Sequence, residues 1–222
     1  MKLTKNEEDY LKALFKLTVE SKDDKVGTNQ LAEKLGFSPA SVNGMLKKLK
    51  TKDLVSYKKY GKIDLTPQGQ SLAVGLIRKH RLWETFLYKY MNFTWDEVHV
   101  VAEQLEHIKS EKLISELDRF LGYPETDPHG ATIPNSDGDY NIKLKTTLAE
   151  IEVGQKCRLV AVKDSSIEFL KYVTKIGLEL SSEILIVEKR DFDGSILIKF
   201  NDQDLSVSAK FCENVFVESL KN

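Results

Sequence analysis

Residues 28–56, TNQLAEKLGFSPASVNGMLKKLKTKDLVS, hold two short helical periods separated by a Gly-Phe-Ser-Pro break. In the first, Thr28 is placed as N-cap, Leu31, Ala32 and Leu35 form one apolar stripe, and Gly36 stops the helix. In the second, Ser38 is the N-cap and Pro39 takes the first helical position, where its missing N–H costs nothing. Val42, Met45, Leu46 and Leu49 then face inward, leaving Ala40, Ser41, Asn43, Gly44 and Lys47 on the opposite side. Immediately after comes LVSYKKYGKIDLTPQG (54–69), two short strands expected to fold about Tyr60-Gly61. Upstream, EEDYLKALFKLTVE (7–20) sets Tyr10, Leu11, Leu14, Phe15 and Leu17 at helical spacing. Helix, short turn, helix and basic hairpin form the order of a winged helix-turn-helix.

Charge supports a polyanionic partner for this region. Residues 1–65 carry 14 Lys, no Arg and 9 acids, a net +5, whereas the rest of the chain nets −6. Between positions 43 and 62 seven lysines meet a single acid, Asp53. The expectation is therefore double-stranded DNA, with Ser38, Pro39, Ala40, Ser41 and Asn43 near base edges and Lys47, Lys48, Lys50, Lys58, Lys59 and Lys62 at phosphates. A solvated lysine face on a helical scaffold is the competing interpretation.

The 222 residues, 41% hydrophobic and 30% charged, suit a soluble globular chain of two or three small domains. No apolar run reaches the ~20 residues a membrane helix needs, and no apolar segment follows the N-terminal charges, so neither membrane nor signal peptide is expected. Only Cys157 and Cys212 occur, too few for a disulfide framework, which makes a reducing cytoplasm the default.

Residues 67–121 predict three helices whose density of Leu, Ile, Val, Phe and Trp exceeds what they need for one another, pointing to a helix-mediated dimer. GYPETDPHGATIPNSDGDYN (122–141) marks a boundary or an ordered loop, with His129 as a turn residue. Beyond it, five short alternating segments, a DFDG turn (191–194) and a helix near 165–176 suggest a small SH3-like barrel. The expected fold is mainly α with a small all-β domain: a winged-helix domain over 1–72, a helical metal-binding and dimerisation domain over 73–141, and an SH3-like domain over 142–222.

The chemistry concentrates in the middle. In EVHVVAEQLEH (97–107), counting about 100° per residue from His99, Glu103 lies near 40°, Glu106 near 340° and His107 near 80°. One narrow face thus carries two imidazoles and two carboxylates, where a solvated face would alternate acids with Lys or Arg. Glu103, Glu106 and His107 form one ligand group, to be completed from elsewhere. His80 and Glu84, four apart in HRLWE, form a second with His99. Carboxylate and imidazole without thiolate suit Mn²⁺ or Fe²⁺, while zinc also has affinity for such donors. Two rival readings compete. A metal-independent winged-helix regulator would use these acids as helix caps. A helical di-metal enzyme would need Glu-x-x-His or HExxH spacing, and Glu103 to His107 is four apart.

These features together resemble the diphtheria toxin repressor family of metal-dependent transcriptional regulators over essentially the whole length. The resemblance rests on EDYL at the start, LAEKLGFSPASVNGMLKKLKTKDLV with its wing, HRLWE, VHVVAEQLEH and the strand-rich C-terminus. It implies a homodimer, without enzymatic activity, that represses metal-uptake genes by binding an inverted-repeat operator when loaded with Mn²⁺ or Fe²⁺; Zn²⁺, Co²⁺ or Ni²⁺ can substitute in vitro. It further implies a regulatory site of Asp9, Glu103, Glu106 and His107, an ancillary site of His80, Glu84, His99 and Asp164, and a C-terminal module like the small iron-transport-associated (FeoA) domain. Iron-sensing members use Glu and Gln from that module where this chain has Lys163 and Ser166. They also place Met and Cys where this chain has Asp9 and Glu103, and hard carboxylate in place of sulfur favours manganese. The short manganese regulators carry a further Glu at the position of Lys12, so two separated sites are expected here instead of a paired-metal centre.

Overall fold

Thr4 opens the first helix: Glu7 N–H donates to its hydroxyl at 3.4 Å, and Glu7 Oε2 accepts from Thr4 N–H at 2.9 Å. The computed structural model describes residues 2–20, 26–57, 61–140, 146–163 and 166–220. Helix α1 (Lys5–Phe15) widens into a π-helical turn, Lys16–Glu20, within the single helix expected over 7–20. Tyr10, Leu11, Leu14 and Phe15 are buried, as their spacing predicts.

Helices α2 (Thr28–Leu35) and α3 (Pro39–Thr51) follow. The cap of α2 is Gly27, one residue before the expected Thr28: its N–H donates to Gln30 Oε1 at 2.9 Å, while the Thr28 hydroxyl turns to Asn43. Gly36 ends α2 at φ +68°, and Phe37 N–H bonds back to Ala32 O at 3.0 Å, a left-handed stop that favours glycine. Ser38 and Pro39 act as predicted, Ser38 Oγ accepting from Ser41 N–H at 3.2 Å. Strands β1 (Val55–Tyr57) and β2 (Ile63–Leu65) pair antiparallel. The turn with Lys58, Lys59 and Tyr60 lies outside the described residues.

Helix α4 (Pro67–Tyr90) is capped by Thr66 and joins two cores. Its first half gives Ala73, Val74 and Ile77 to the winged-helix core; its second gives Leu82, Trp83 and Leu87 to a core with α5 (Trp95–Leu105) and α6 (Glu111–Phe120). The expected boundary at 72–73 therefore falls inside a continuous helix. Thr94 and Ser110 cap α5 and α6.

The segment after α6 is an ordered loop, not a bare boundary. Thr126 bridges Thr132, and Val162 N–H donates to His129 O at 3.0 Å. At Gly130 (φ +78°) an added Cβ would lie 2.0 Å from Val160 O, so only glycine allows the loop to lie this close to the sheet.

That sheet is antiparallel and six-stranded, ordered β3-β8-β4-β5-β6-β7. Its strands are β3 (Thr146–Thr147), β4 (Lys156–Val162), β5 (Glu183–Lys189), β6 (Ile196–Phe200), β7 (Gln203–Val207) and β8 (Val215–Ser219), with α7 (Ile167–Lys175) after β4 and α8 (Ala209–Asn214) before β8. The two-residue β3, too short to show alternation, and the six-residue α8 lie outside the pattern read from the sequence. Cys157 and Cys212 are free and buried in this core, and burial pushes both thiols up to about 11, which keeps them unreactive. Trp95, the first residue of α5, belongs to the same core and fixes the β module to the helical one. Among the described residues no helix is long and apolar enough to cross a membrane.

Candidate metal centre

Three elements meet beneath the winged helix. Helix α1 presents Glu8, Asp9 and Lys12; α4 presents His80, Arg81 and Glu84; α5 and the turn after it present His99, Glu103, Glu106 and His107. The helix ends at Leu105, so Glu106 is its C-cap and His107 lies just beyond the helical face on which the sequence places it. That turn directs His107 toward α1.

Asp9, Glu106 and His107 each offer a ligand atom, and the three atoms lie within 4.8 Å of one another. His107 Nε2 lies 3.2 Å from Asp9 Oδ1 and 3.8 Å from Glu106 Oε1. Its other nitrogen, Nδ1, faces Glu8 Oε2 at 2.6 Å. A ring nitrogen that close to a carboxylate donates its proton to it, and in the neutral imidazole Nε2 then turns its lone pair toward Asp9. Asp9 Oδ1 and His107 Nε2 are both buried without a hydrogen-bond partner. Two buried acceptors facing each other are costly unless a cation stands between them. The Asp9 carboxyl is raised in pKa, chiefly by burial. Hard oxygen and imidazole donors with unsatisfied lone pairs fit a divalent ion such as Mn²⁺ or Fe²⁺.

His80, His99 and Glu103 form a second group within the same distance. Glu84 Oε1 lies 2.9 Å from His80 Nε2 and 3.1 Å from His99 Nδ1, and His99 Nε2 lies 3.4 Å from Glu103 Oε1. Burial raises the Glu84 pKa, but His80, His129 and His99 together outweigh it and the carboxyl is held well below the usual range. Glu103, expected beside Asp9, points here to His99 and to Lys12 Nζ at 2.6 Å. Burial again opposes ionisation, yet Lys12 and His80 hold Glu103 down at about 2. His80 Nδ1, 2.5 Å from Glu106 Oε2, ties the two groups together. Asp164 lies outside the described residues; beside it, Ser166 caps α7 through its hydroxyl, and Lys163 N–H donates to Asn214 O.

A third group, Glu84, Asp127 and His129, is fully buried. His129 does sit in a turn, its N–H donating to Asp127 Oδ1 at 2.8 Å, but its ring also reaches Trp95 O (3.0 Å from Nε2) and the far oxygen of Glu84 (3.8 Å from Nδ1). Burial alone would lower this imidazole's pKa; Glu84 reverses that and lifts it to about 9. Glu8, Lys12, Arg81, Asp127 and the ring of His129 were not foreseen as part of the centre.

On α3, Ser38, Pro39, Ala40, Ser41, Asn43, Gly44, Lys47 and Lys48 are all exposed on one surface. Lys50 is held to the wing, donating to Tyr57 O at 3.2 Å, and Lys62 pairs with Asp64 at 3.0 Å.

Three family models match in succession: the iron dependent repressor N-terminal DNA binding domain over residues 2–63, the iron dependent repressor metal binding and dimerisation domain over 66–135, and the FeoA domain over 146–219. A solved manganese-dependent transcriptional repressor in complex with manganese is 33% identical, with a TM-score of 0.87, over 96% of this chain and 100% of that one. The chain belongs to the diphtheria toxin repressor family. It is a metal-dependent transcriptional repressor with a helical DNA-binding domain and a small antiparallel SH3-like domain, as the sequence implied. The solved manganese regulator SloR is also similar, at 36% identity and a TM-score of 0.80 over 98% of this chain and 100% of that one. The iron-dependent repressor IdeR of Mycobacterium bovis is 33% identical over 105 residues, 47% of this chain and 46% of that protein. The chain thus spans less than half the length of the first curated relatives it matches. Within the family, the metal served differs from one relative to another, manganese in some and iron in others.

Proposed function

We propose that this repressor is a Mn²⁺ sensor, with Fe²⁺ as the alternative ion, and that the metal acts as co-repressor at Asp9, Glu106 and His107, with Glu103 beside them. The observation that carries the reading is the buried, partnerless pair Asp9 Oδ1 and His107 Nε2, one from the DNA-binding domain and one from the dimerisation domain. Mn²⁺ would supply two positive charges and a preference for oxygen and imidazole donors. Everything else is work of the chain itself. Without a cation, α1 is held to the end of α5 by Lys12 at Glu106 and by Glu8 at His107, and Asp9 faces His107 with no bond between them. With the charge of Asp9 neutralised, α1 is drawn onto α5, and the angle at which α3 is presented narrows.

In a homodimer two copies of α3 must match half-sites about one or more DNA turns apart, so fixing each one raises affinity for an inverted-repeat operator. The face of Phe86, Tyr90 and Phe120 lies within the region matching the dimerisation domain and is the surface we assign to the partner copy. His80, Glu84 and His99, with Asp164 from the β module, make the ancillary site that ties this module to the helices. The exposed Ser38–Asn43 stretch reads base edges while Lys47, Lys48, Lys58, Lys59 and Lys62 meet phosphates. The site is regulatory and not catalytic, the chain acts in the cytoplasm, and the genes controlled are those of metal uptake.

The test is selection from a pool of random duplex DNA by chelator-stripped protein with and without micromolar Mn²⁺. Recovery of an inverted repeat only with Mn²⁺ is the expected outcome. Equal recovery in both arms would leave a DNA-binding protein whose ligand groups are structural.

A further inference from the structure

Lys12 stands inside the centre, and metal binding alone gives it no role. It is buried, and its ammonium lies 2.6 Å from Glu103 Oε1 and 2.6 and 2.8 Å from the two oxygens of Glu106. Each of those carboxylates belongs to a different ligand group: Glu106 to that of Asp9 and His107, Glu103 to that of His80 and His99. Nζ therefore holds one carboxylate from each group. Glu106 is fully committed. Both its oxygens meet Lys12, Oε2 also meets His80, and Oε1 is 1.2 Å farther from His107 Nε2 (3.8 Å) than from Nζ (2.6 Å). Its charge is not available to a cation beside Asp9 while that bond lasts.

Burying Glu103 and Glu106 without a positive partner would be strongly unfavourable. Lys12 removes that penalty in the metal-free chain. We propose that Lys12 is a tethered counter-cation that competes with the regulatory metal for Glu106, so that uptake of the ion requires Glu106 to leave the ammonium. This rests on reading Asp9, Glu106 and His107 as a metal site. It gives the sensor a threshold, because the free energy of the Lys12–Glu106 contact is subtracted from that of the metal. It also lets the metal-free repressor stay folded, ready to respond.

The experiment compares full-length wild type with Lys12→Met and Lys12→Gln, all chelator-stripped. Mn²⁺ affinity and stoichiometry are measured by calorimetry and metal analysis, and melting is followed with and without Mn²⁺. Lys12→Met should bind Mn²⁺ at least about tenfold more tightly, the low end for removing a competing charge at contact distance. Its metal-free form should melt earlier than wild type, while the loaded forms melt close together. A variant that folds only when Mn²⁺ is present supports the proposal equally. If Lys12→Met fails to fold in both conditions, Lys12→Gln is judged by the same criteria. Unchanged or weakened Mn²⁺ binding in a folded variant overturns the proposal and makes Lys12 a structural ion pair that persists beneath the metal. Absence of Mn²⁺ binding by wild type itself would instead overturn the metal site, and only that arm reports it.

Discussion

Two clusters in this molecule have the same composition, one histidine and two carboxylates, and opposite physical states. In Glu84–Asp127–His129 the acceptors face donors and cations of the chain itself. His129 bonds the Trp95 carbonyl, Asp127 accepts from His129 and Ala131 N–H at 2.8 and 2.9 Å, and its other oxygen faces Arg81 Nε at 3.6 Å. The imidazole, with its pKa lifted to about 9, is itself the cation of the group. In Asp9–Glu106–His107 the imidazole's proton is committed to Glu8, and two acceptors are left facing each other. Residue type nominates both clusters as metal sites; what separates them is that the charge supplied to the open one, Lys12, pairs with Glu106 and leaves Asp9 Oδ1 and His107 Nε2 without a hydrogen-bond partner.

The sharpest way to break this contrast is to take that charge from the closed cluster. Arg81 also donates to Glu20 Oε1 at 2.7 Å, to Thr132 O at 2.6 Å and to the Tyr140 hydroxyl at 3.1 Å. Arg81→Met should destabilise the chain by ~3–5 kcal/mol, since it strands buried carboxylates. Urea unfolding of the metal-free protein reads this, and calorimetry should show Mn²⁺ still bound; an unchanged midpoint would mean that Asp127 and Glu20 have other partners. Acid should weaken the same junction. Burial raises the Glu20 pKa, but Arg81, Tyr140 and Lys16 together outweigh it, so the folded value lies below the ordinary 4.5. A depressed carboxyl contributes stability that is present above pH 4.5 and lost as pH falls through the folded value. Arg81→Met should remove that part of the acid dependence.

Next in size is the open cluster. His107→Ala or Asp9→Ala should leave a folded dimer whose operator affinity no longer rises with Mn²⁺, a loss of ~5–150-fold in response. Asp127→Asn should retain the response. Fluorescence anisotropy with labelled operator checks both, and a metal response that survives in His107→Ala would reject the assignment. A smaller loss is expected at Glu8. Glu8→Ala frees the His107 proton and ring, and should weaken Mn²⁺ binding by ~10–100-fold while saturating Mn²⁺ restores operator binding. Equal Mn²⁺ affinity in the variant would show that the ring is held by its own packing.

How much of this could be seen in the sequence follows the range of each interaction. The α2–α3 turn is local: Gly36, Ser38 and Pro39 act on neighbours within three or four residues, and the structure departs only at Gly27. His80 with Glu84 is legible for the same reason, being four apart on one helix, whereas Glu103, expected beside Asp9, faces His99. Glu8 and Lys12 were not legible in this way. In the sequence Glu8 is a first-turn acid like Glu7, and Lys12 stands out only through the resemblance, as a lysine where the short manganese regulators carry Glu. Their partners lie 91 to 99 positions away, and no periodicity records that distance. Asp127 and His129 look like turn formers because they are turn formers; their second use depends on α4 and α5 packing beside the loop. Lys58 and Lys59 stay as the charge pattern gave them and Asp164 as the resemblance gave it, all three lying outside the described residues.

The smallest test asks whether the open cluster depends on the exact seat of α1. Asp9 is five residues beyond Thr4, whose hydroxyl and N–H close the capping box with Glu7. Leu3 O just ahead also accepts from Lys109 Nζ at 2.5 Å, so the start of α1 is attached to the segment that follows His107. Thr4→Ala removes one bond of the box and should cost ~1 kcal/mol of stability. If the cap only stabilises the helix, Mn²⁺ affinity stays as in wild type. If it also positions Asp9 against His107, affinity falls by a few-fold, because part of the binding free energy must then reorder the first turn, and ~1 kcal/mol corresponds to about fivefold. Calorimetry on Thr4→Ala beside Thr4→Ser, which keeps the capping oxygen, separates the two. A loss in Thr4→Ala that Thr4→Ser does not share would show that the metal reads the geometry of the helix start as well as the ligands it carries.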